Sequence, residues 1–387
     1  MAAGTTFDLA IIGGGPAGTA AAIAAREGGL RVAIWDRQRF PHDKVCGEFL
    51  SGESLPMLQR LIPAALERGA PIARCEFISP RGRVDSFRLP QPARGLSRRS
   101  LDHALWRAAA DVGAWTHEGT PVRRVSRLPP PGDRNPLWQV EPAGGEMVTA
   151  HSLLLACGRG WSIPGLNSSS LRMKQRVAAW TGLKAHFAGV ATRDAVEMYY
   201  FPGGYCGLAP VESGLYNVCC LARPSLLKES AGSGGARDLA RWLRRAVRHP
   251  ALDARLKHAV QTSGTVATAP VSPARRTANL SGALVIGDAA GFIDPFTGDG
   301  ISMALHSGRL GAEVLSRVRD DRLRLAGAHD PALEYRRRLR AAVNQSYCFA
   351  GFLRTLVCAP ESLQAVAARF LPRFGPMLME RTRWRAA

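Results

Sequence analysis

"FDLAIIGGGPAGTAAAIAAREGGLRVAIWDR", residues 7–37, decides the fold. Leu9 to Ile12 is a short unbroken apolar run of the kind buried in a parallel sheet. Gly13, Gly15 and Gly18 follow as G-x-G-x-x-G, an alanine-rich helix is predicted from about Pro16 to Glu27, and a strand from Arg31 to Trp35 ends in Asp36. Gly13 permits the strand-to-helix turn, Gly15 lets the backbone approach a pyrophosphate, and Gly18 lets helix and sheet pack closely. The helix N-terminus offers free N–H groups to the phosphates. Asp36, eighteen residues after Gly18, is placed to accept hydrogen bonds from a ribose diol.

A second unit lies far downstream. "ALVIGDAAGFIDPFTGDGISMALHSGRLGAEVL", residues 283–315, predicts a strand from Ala283 to Ile286, then Gly287-Asp288, a Pro/Gly-rich loop and a helix from about Gly300. An acid at a strand end can hydrogen-bond a ribityl hydroxyl, and a helix N-terminus beyond it can face a ring edge that becomes anionic on reduction. A nicotinamide dinucleotide needs no such second unit. FAD does, and FAD is the expected cofactor.

Together with "SRRSLDHAL" at 97–105, these motifs resemble the FAD-dependent superfamily of aromatic hydroxylases, geranylgeranyl reductases and flavin-dependent halogenases, over roughly residues 7–320. The resemblance implies that Arg98 contacts the cofactor, that Asp288 is the aspartate of the second FAD motif beside Gly287, and that Gly298 and Gly300 line the pyrimidine edge of the flavin. It also covers "KVCGEFLSGES" at 44–54, similar to the K-x-C-G segment of geranylgeranyl reductases and their bacterial relatives. By that likeness Lys44 to Glu48 cross the front of the flavin. Gly47 then allows close backbone approach, Cys46 lies near the reacting face, and Glu48 positions a substrate or relays a proton. Asp299, with Asp294 behind it, is a further candidate for proton handling.

Composition bounds the rest. The chain has 387 residues, 46% of them apolar, enough for one large or two interwoven domains. No run of about 18 uncharged apolar residues occurs, and no charged region precedes the first apolar stretch, which points to the cytoplasm. Eight scattered cysteines without a C-x-x-C pair read as reduced thiols, with no metal site expected. The net charge of +20 is spread along the chain without interleaved aromatics, so nucleic acid is not expected as a partner.

Between the FAD motifs the period changes. "DAVEMYYFPGGYCGLAPVESGLYNVCCLA", residues 194–222, alternates in period two around Gly203-Gly204 and Ser213-Gly214 and reads as three antiparallel strands. "CEFISPRGRVDSFRLP", residues 75–90, reads as another hairpin turning at Pro80 to Gly82. The expected architecture is α/β: a discontinuous Rossmann-like FAD-binding domain (1–75, 98–170 and 276–320), an antiparallel substrate sheet (76–97 and 171–275) and a helical C-terminal segment (321–387). The sheet should cover the flavin and form an apolar pocket, with Trp180, Tyr199, Phe201 and Tyr205 as lining candidates, of which alternation lets about half face inward. The C-terminal helices carry arginine-rich faces suited to packing on the body or to an anionic membrane surface.

Geranylgeranyl reductases usually carry Y-x-W-x-F-P in the substrate sheet. Here "YCGLAP" at 205–210 keeps Tyr205 and Pro210 and lacks both large aromatics. "RGWSIP" at 159–164 has only one tryptophan of the W-x-W-x-I-P of halogenases, which argues against halogenation. The sequence reading is therefore a monooxygenase hydroxylating a hydrophobic aromatic or polyketide-like molecule with O2 and NAD(P)H, the latter bound transiently or replaced by a reductase partner. Its alternatives are a reductase of isoprenoid or polyene double bonds and a flavin-binding protein without turnover.

Overall fold

The computed structural model describes residues 5–129, 136–159, 163–166, 180–229, 238–275, 282–323, 330–357 and 373–384. Thr6–Ile12 forms the predicted first strand, flanked in parallel by Val32–Trp35 and by Val148–Leu155. Trp115–His117 and Leu284–Val285 add further parallel strands, and Val122–Arg127 and Trp138–Pro142 close the far edge as an antiparallel hairpin. Among the described residues this sheet has seven strands.

Its helices cover one face because their small residues allow it. Half of the helix Pro16–Glu27 is alanine, and Gly308 of the helix Gly300–Leu323 lies so close to it that a Cβ would sit 2.1 Å from the Ala17 carbonyl oxygen. The core between them joins Leu9, Ile11, Ile34, Ala21 and Leu310. The opposite face buries Trp35, Trp138, Val140 and Leu153.

The second sheet has nine strands among the described residues. The predicted triple of Ala195–Phe201, Gly204–Pro210 and Tyr216–Ala222 is antiparallel, extended by Trp180–Ala188. The predicted hairpin is longer than its sequence signal: Ala70–Ile78 pairs with Val84–Gly95, and Ala195–Phe201 joins it in parallel. This sheet reaches back past the expected boundary at residue 76, taking in Phe49–Leu50 and the start of Ala70–Ile78. Those short runs carry no alternation of their own; pairing with residues 94 and 95 recruits them.

Alternation gives the second sheet two distinct faces. One buries Leu183, Phe187, Tyr199, Phe201, Leu208, Val218 and Cys220 against Leu239, Trp242 and Leu252 of the helical segment behind it. The other carries Trp180, Lys184, His186, Met198, Tyr200, Tyr205 and Asn217, and meets the loop that follows the second strand of the first sheet. A helix spans Pro331–Val357, and residues 373–382 are also helical. Among the described residues no helix is long and apolar enough to cross a membrane.

Candidate active site

The dinucleotide turn sorts its glycines by job. A Cβ on Gly13 (φ 110°) would lie 2.3 Å from the Ala156 carbonyl oxygen, and one on Gly18 would lie 1.8 Å from that of Gly13, so both are required by packing. Gly15 is different. A Cβ there meets only the Lys44 ammonium at 3.8 Å and the Arg98 guanidinium at 3.9 Å. Gly15 caps the helix Pro16–Glu27 without a side chain, so two cations and a helix N-terminus converge on open space, as a pyrophosphate requires.

Those cations are held from below. Arg98 donates twice to Asp102, each bond 2.7 Å, and Lys44 lies 3.3 Å from the same carboxylate. Burial opposes the charge on Asp102, yet Arg98 and Lys44 together hold its carboxyl below the usual range. Two positive charges against one negative leave a surplus facing Gly15. Glu212, in the turn between the strands Gly204–Pro210 and Tyr216–Ala222, fixes the start of the Arg98 helix by accepting from the Ser97 N–H at 2.8 Å. Asp36 accepts from the Gly14 N–H at 2.7 Å and the Gln38 N–H at 2.8 Å, which stiffens the turn at the strand end where a ribose is expected.

The loop Asp43 to Glu48 lies on the second sheet. Val45 fills the space over Gly182, and the Cys46 carbonyl accepts from the Asn217 side chain at 2.9 Å. Cys46 Sγ accepts from the Glu48 N–H at 3.4 Å, and burial pushes the thiol's pKa up despite the nearby Arg98, so it stays protonated at neutral pH. A Cβ on Gly47 would meet nothing within 4 Å.

Glu48 corrects the sequence reading. It is fully buried at φ 56°, and its oxygens are taken: Oε1 accepts from Lys184 Nζ and from the Arg98 N–H, both at 2.7 Å, and Oε2 lies 2.7 Å from His186 Nε2. It pins the loop to the sheet instead of reaching toward a substrate. Asp43, Glu48 and His186 lie close enough to hold a metal ion, but Lys184 Nζ sits 3.0 Å from Asp43 and supplies that positive charge itself. Lys184 and His186 escaped the sequence reading, although two polar residues at alternate positions of "WTGLKAHFA" were a visible signal.

In the second unit, Gly287 (φ 60°) packs against Ala17, and Asp288 follows it. Burial raises the Asp288 pKa, opposed by the positive charges of Arg159, Arg98 and Lys44. Gly298 (φ 71°) turns beside Phe49, and Gly300 opens the long helix with free space at its Cα. Asp294 and Asp299, expected to handle protons, have other partners. Asp294 accepts from the Phe296 N–H at 3.2 Å, and Asp299 is bound by Arg383 from the C-terminal segment.

The aromatic candidates divide by alternation. Trp180 and Tyr205 lie on the loop-facing side, in a cluster with Met198, Leu221, Val271, Phe292 and Phe296. Tyr199 and Phe201 do not; they are in the core behind the sheet, where the Tyr199 hydroxyl donates to Glu197 at 2.6 Å. Tyr200 takes their place. Its ring stacks on Phe77 at 6.0 Å and meets Phe296 at 6.1 Å, and its buried hydroxyl has no hydrogen-bond partner. The single tryptophan of "RGWSIP" lies outside the described residues.

Residues 8–40 match a family model described as an FAD binding domain. The chain is 30% identical over 323 residues to digeranylgeranylglycerophospholipid reductase 2 of Methanopyrus kandleri, covering 81% of this chain and 77% of the relative. The chain belongs to the geranylgeranyl reductase-like branch of the FAD-dependent oxidoreductases. A menaquinone reductase of Mycolicibacterium smegmatis is 26% identical over 336 residues, covering 81% and 77% of the two chains. Solved structures share the fold: a geranylgeranyl bacteriochlorophyll reductase-like protein from Thermoplasma acidophilum (TM-score 0.73, 19% identity, 95% and 92% coverage) and a flavin-dependent brominase (TM-score 0.76, 19% identity, 98% and 93% coverage). The open cradle at Gly15 under two cations, with Gly47 and Gly300 unobstructed, fits the FAD that this branch of oxidoreductases uses.

Proposed function

We propose that this oxidoreductase saturates carbon–carbon double bonds of an isoprenoid or polyene lipid. The observation that carries the reading is the Cys46 thiol, kept neutral by burial and held between the Arg98 side of the cofactor cradle and Asn217 of the second sheet. When bound and reduced, FAD supplies a hydride to one carbon of the double bond. Cys46 Sγ–H delivers the proton to the other carbon, and the thiolate recovers its proton from solvent. A neutral thiol suits proton donation; a nucleophile would need a lowered pKa.

Asn217 and Glu48 hold Cys46 in place, and the aromatic cluster of Tyr200, Tyr205, Phe77 and Phe296 offers an apolar, polarisable wall for an unsaturated chain. The names of the two reductase relatives support the same chemistry. This reading replaces hydroxylation, which no residue described above favours. NAD(P)H, directly or through a reductase partner, is the electron source in this proposal. An anionic membrane surface is its proposed meeting place with substrate, supported by exposed Phe352, Phe374 and Met377 on the C-terminal helices beside Arg354, Arg373 and Arg381.

The test uses protein reduced chemically without oxygen and mixed with geranylgeranyl lipid or menaquinone in detergent. Reoxidation matched by a saturated product, with deuterium at both carbons when reduction and reaction are run in D2O, supports the reading. Product that forms only with oxygen and carries a new hydroxyl returns the assignment to a monooxygenase.

A further inference from the structure

An aspartate at a helix N-cap normally turns its carboxylate inward and accepts from the first-turn N–H groups. Asp299, immediately before the helix Gly300–Leu323, does not. Its backbone carbonyl accepts from the Met303 N–H at 2.9 Å, but Oδ1 is bound by Arg383 and the buried Oδ2 has no hydrogen-bond partner. The Ser302 hydroxyl in the same turn is buried and equally without a partner.

Arg383 belongs to a segment tied down on several sides. Its carbonyl accepts from the Ser346 hydroxyl at 2.8 Å, and its Nε lies 3.6 Å from Glu53. Trp384 stacks on His306 of the long helix at 5.3 Å, Gly375 lies against Phe87, and Met379 packs beside Phe49, Ile72 and Ala93. The segment therefore grips both the helix that carries the cofactor loop and the second sheet. Phe49 in turn touches Gly298.

We infer that Arg383 is a positioning residue of the cofactor site, drawing the Asp299 carboxylate away from the first helical turn so that its N–H groups and dipole remain available to the reduced cofactor. This rests on the expectation that the pyrimidine edge of the flavin lies against Gly298 and Gly300. Reduction places negative charge at that edge, and a helix N-terminus favours it. Released from Arg383, the Asp299 carboxyl would consume that stabilisation by turning inward and capping the first-turn N–H groups. Without Arg383, the Asp299 carboxyl loses the partner that holds it away from the first turn.

The experiment compares wild type, Arg383→Gln, Asp299→Asn and the double variant, reading the flavin midpoint potential by dye equilibration and FAD affinity by fluorescence titration of apoprotein. Neither readout needs a lipid substrate, so both are independent of the proposed reaction. Arg383→Gln should lower the potential by at least about 30 mV, tenfold in a two-electron equilibrium, and Asp299→Asn in that background should restore it. An unchanged potential in Arg383→Gln overturns the inference, and so does a lowered potential that the second substitution fails to restore. If Arg383→Gln does not fold, Asp299→Asn alone decides: a potential at or above wild type supports the assignment, and a fall overturns it.

Discussion

Lys184 Nζ lies 2.7 Å from Glu48 Oε1, and both side chains are almost wholly buried. The pair joins a strand of the second sheet to the loop that crosses the cofactor cradle, and it holds Glu48 in a left-handed conformation that a non-glycine residue adopts only when its surroundings impose it. Burial works against the lysine's charge, but Glu48 and Asp43 raise its pKa. The network is a clamp whose parts depend on one another.

Removing Lys184 leaves buried Glu48 with only the Arg98 N–H and His186 as partners. Lys184→Met is therefore expected to destabilise the apoprotein by about 3–5 kcal/mol, read as a shift in the urea midpoint at constant slope. Adding Glu48→Gln should recover part of the loss. A cost below about 1 kcal/mol, typical of exposed ion pairs, would show that water reaches the cluster.

Cys46 tests the chemistry. Cys46→Ala removes the proton donor and leaves the cradle intact, so FAD content should be unchanged while lipid reduction falls by about 10²–10⁴-fold, the range for a general acid. Loss of FAD together with activity would instead make Cys46 a packing residue of the loop.

Asp299 gives stability a pH signature. Burial lifts its pKa from 3.8 to about 6 in spite of Arg383. Between those values the folded chain binds a proton that the unfolded chain has released, so stability falls as pH rises. The loss is about 3 kcal/mol across the window. Asp102, with its pKa held low, acts in the opposite direction, losing its stabilisation only as pH falls through its depressed value. Denaturation profiles of Asp299→Asn should lack the decline between about pH 4 and 6 while keeping the acid-side loss.

Neighbouring tyrosines separate the two faces of the sheet. Tyr199→Phe deprives buried Glu197 of a hydrogen bond and should cost about 1–3 kcal/mol, although Arg255 still pairs with that carboxylate at 2.8 Å. Tyr200→Phe removes a buried hydroxyl without a partner and should be neutral or slightly stabilising. If Tyr200 faces the lipid, KM should move in that variant and stay fixed in Tyr199→Phe.

These tyrosines also mark where the sequence stops being legible. Gly13, Gly15, Gly18 and Asp36 could be read directly because strand, turn and helix are local and their spacing is fixed by the phosphates they serve. Period two showed that adjacent tyrosines point opposite ways, but not which way each points, because that depends on where the distant loop lands. Glu48 looked free for the same reason: its partners Lys184 and His186 lie 136 and 138 residues away. Asp299 appeared next to its own helix, yet its partner Arg383 comes from a segment 84 residues on. Long-range pairing gave both carboxylates partners that no local reading could supply.

The glycines allow the cofactor reading to be tested apart from the fold. A side chain on Gly13 would collide with the Ala156 carbonyl, and φ 110° resists any L-residue, so Gly13→Ala should fold poorly and lose FAD for that reason. Gly47 faces open space within the protein, so Gly47→Val should leave apoprotein stability within about 1 kcal/mol of wild type, as expected where nothing is crowded. If the flavin ring approaches that backbone, the same substitution should weaken FAD binding at least tenfold, about 1.4 kcal/mol, measured by fluorescence titration. A Gly47→Val protein that folds normally and binds FAD with unchanged affinity would put the ring elsewhere, and with it the role of Cys46, because the two residues share one turn of the loop.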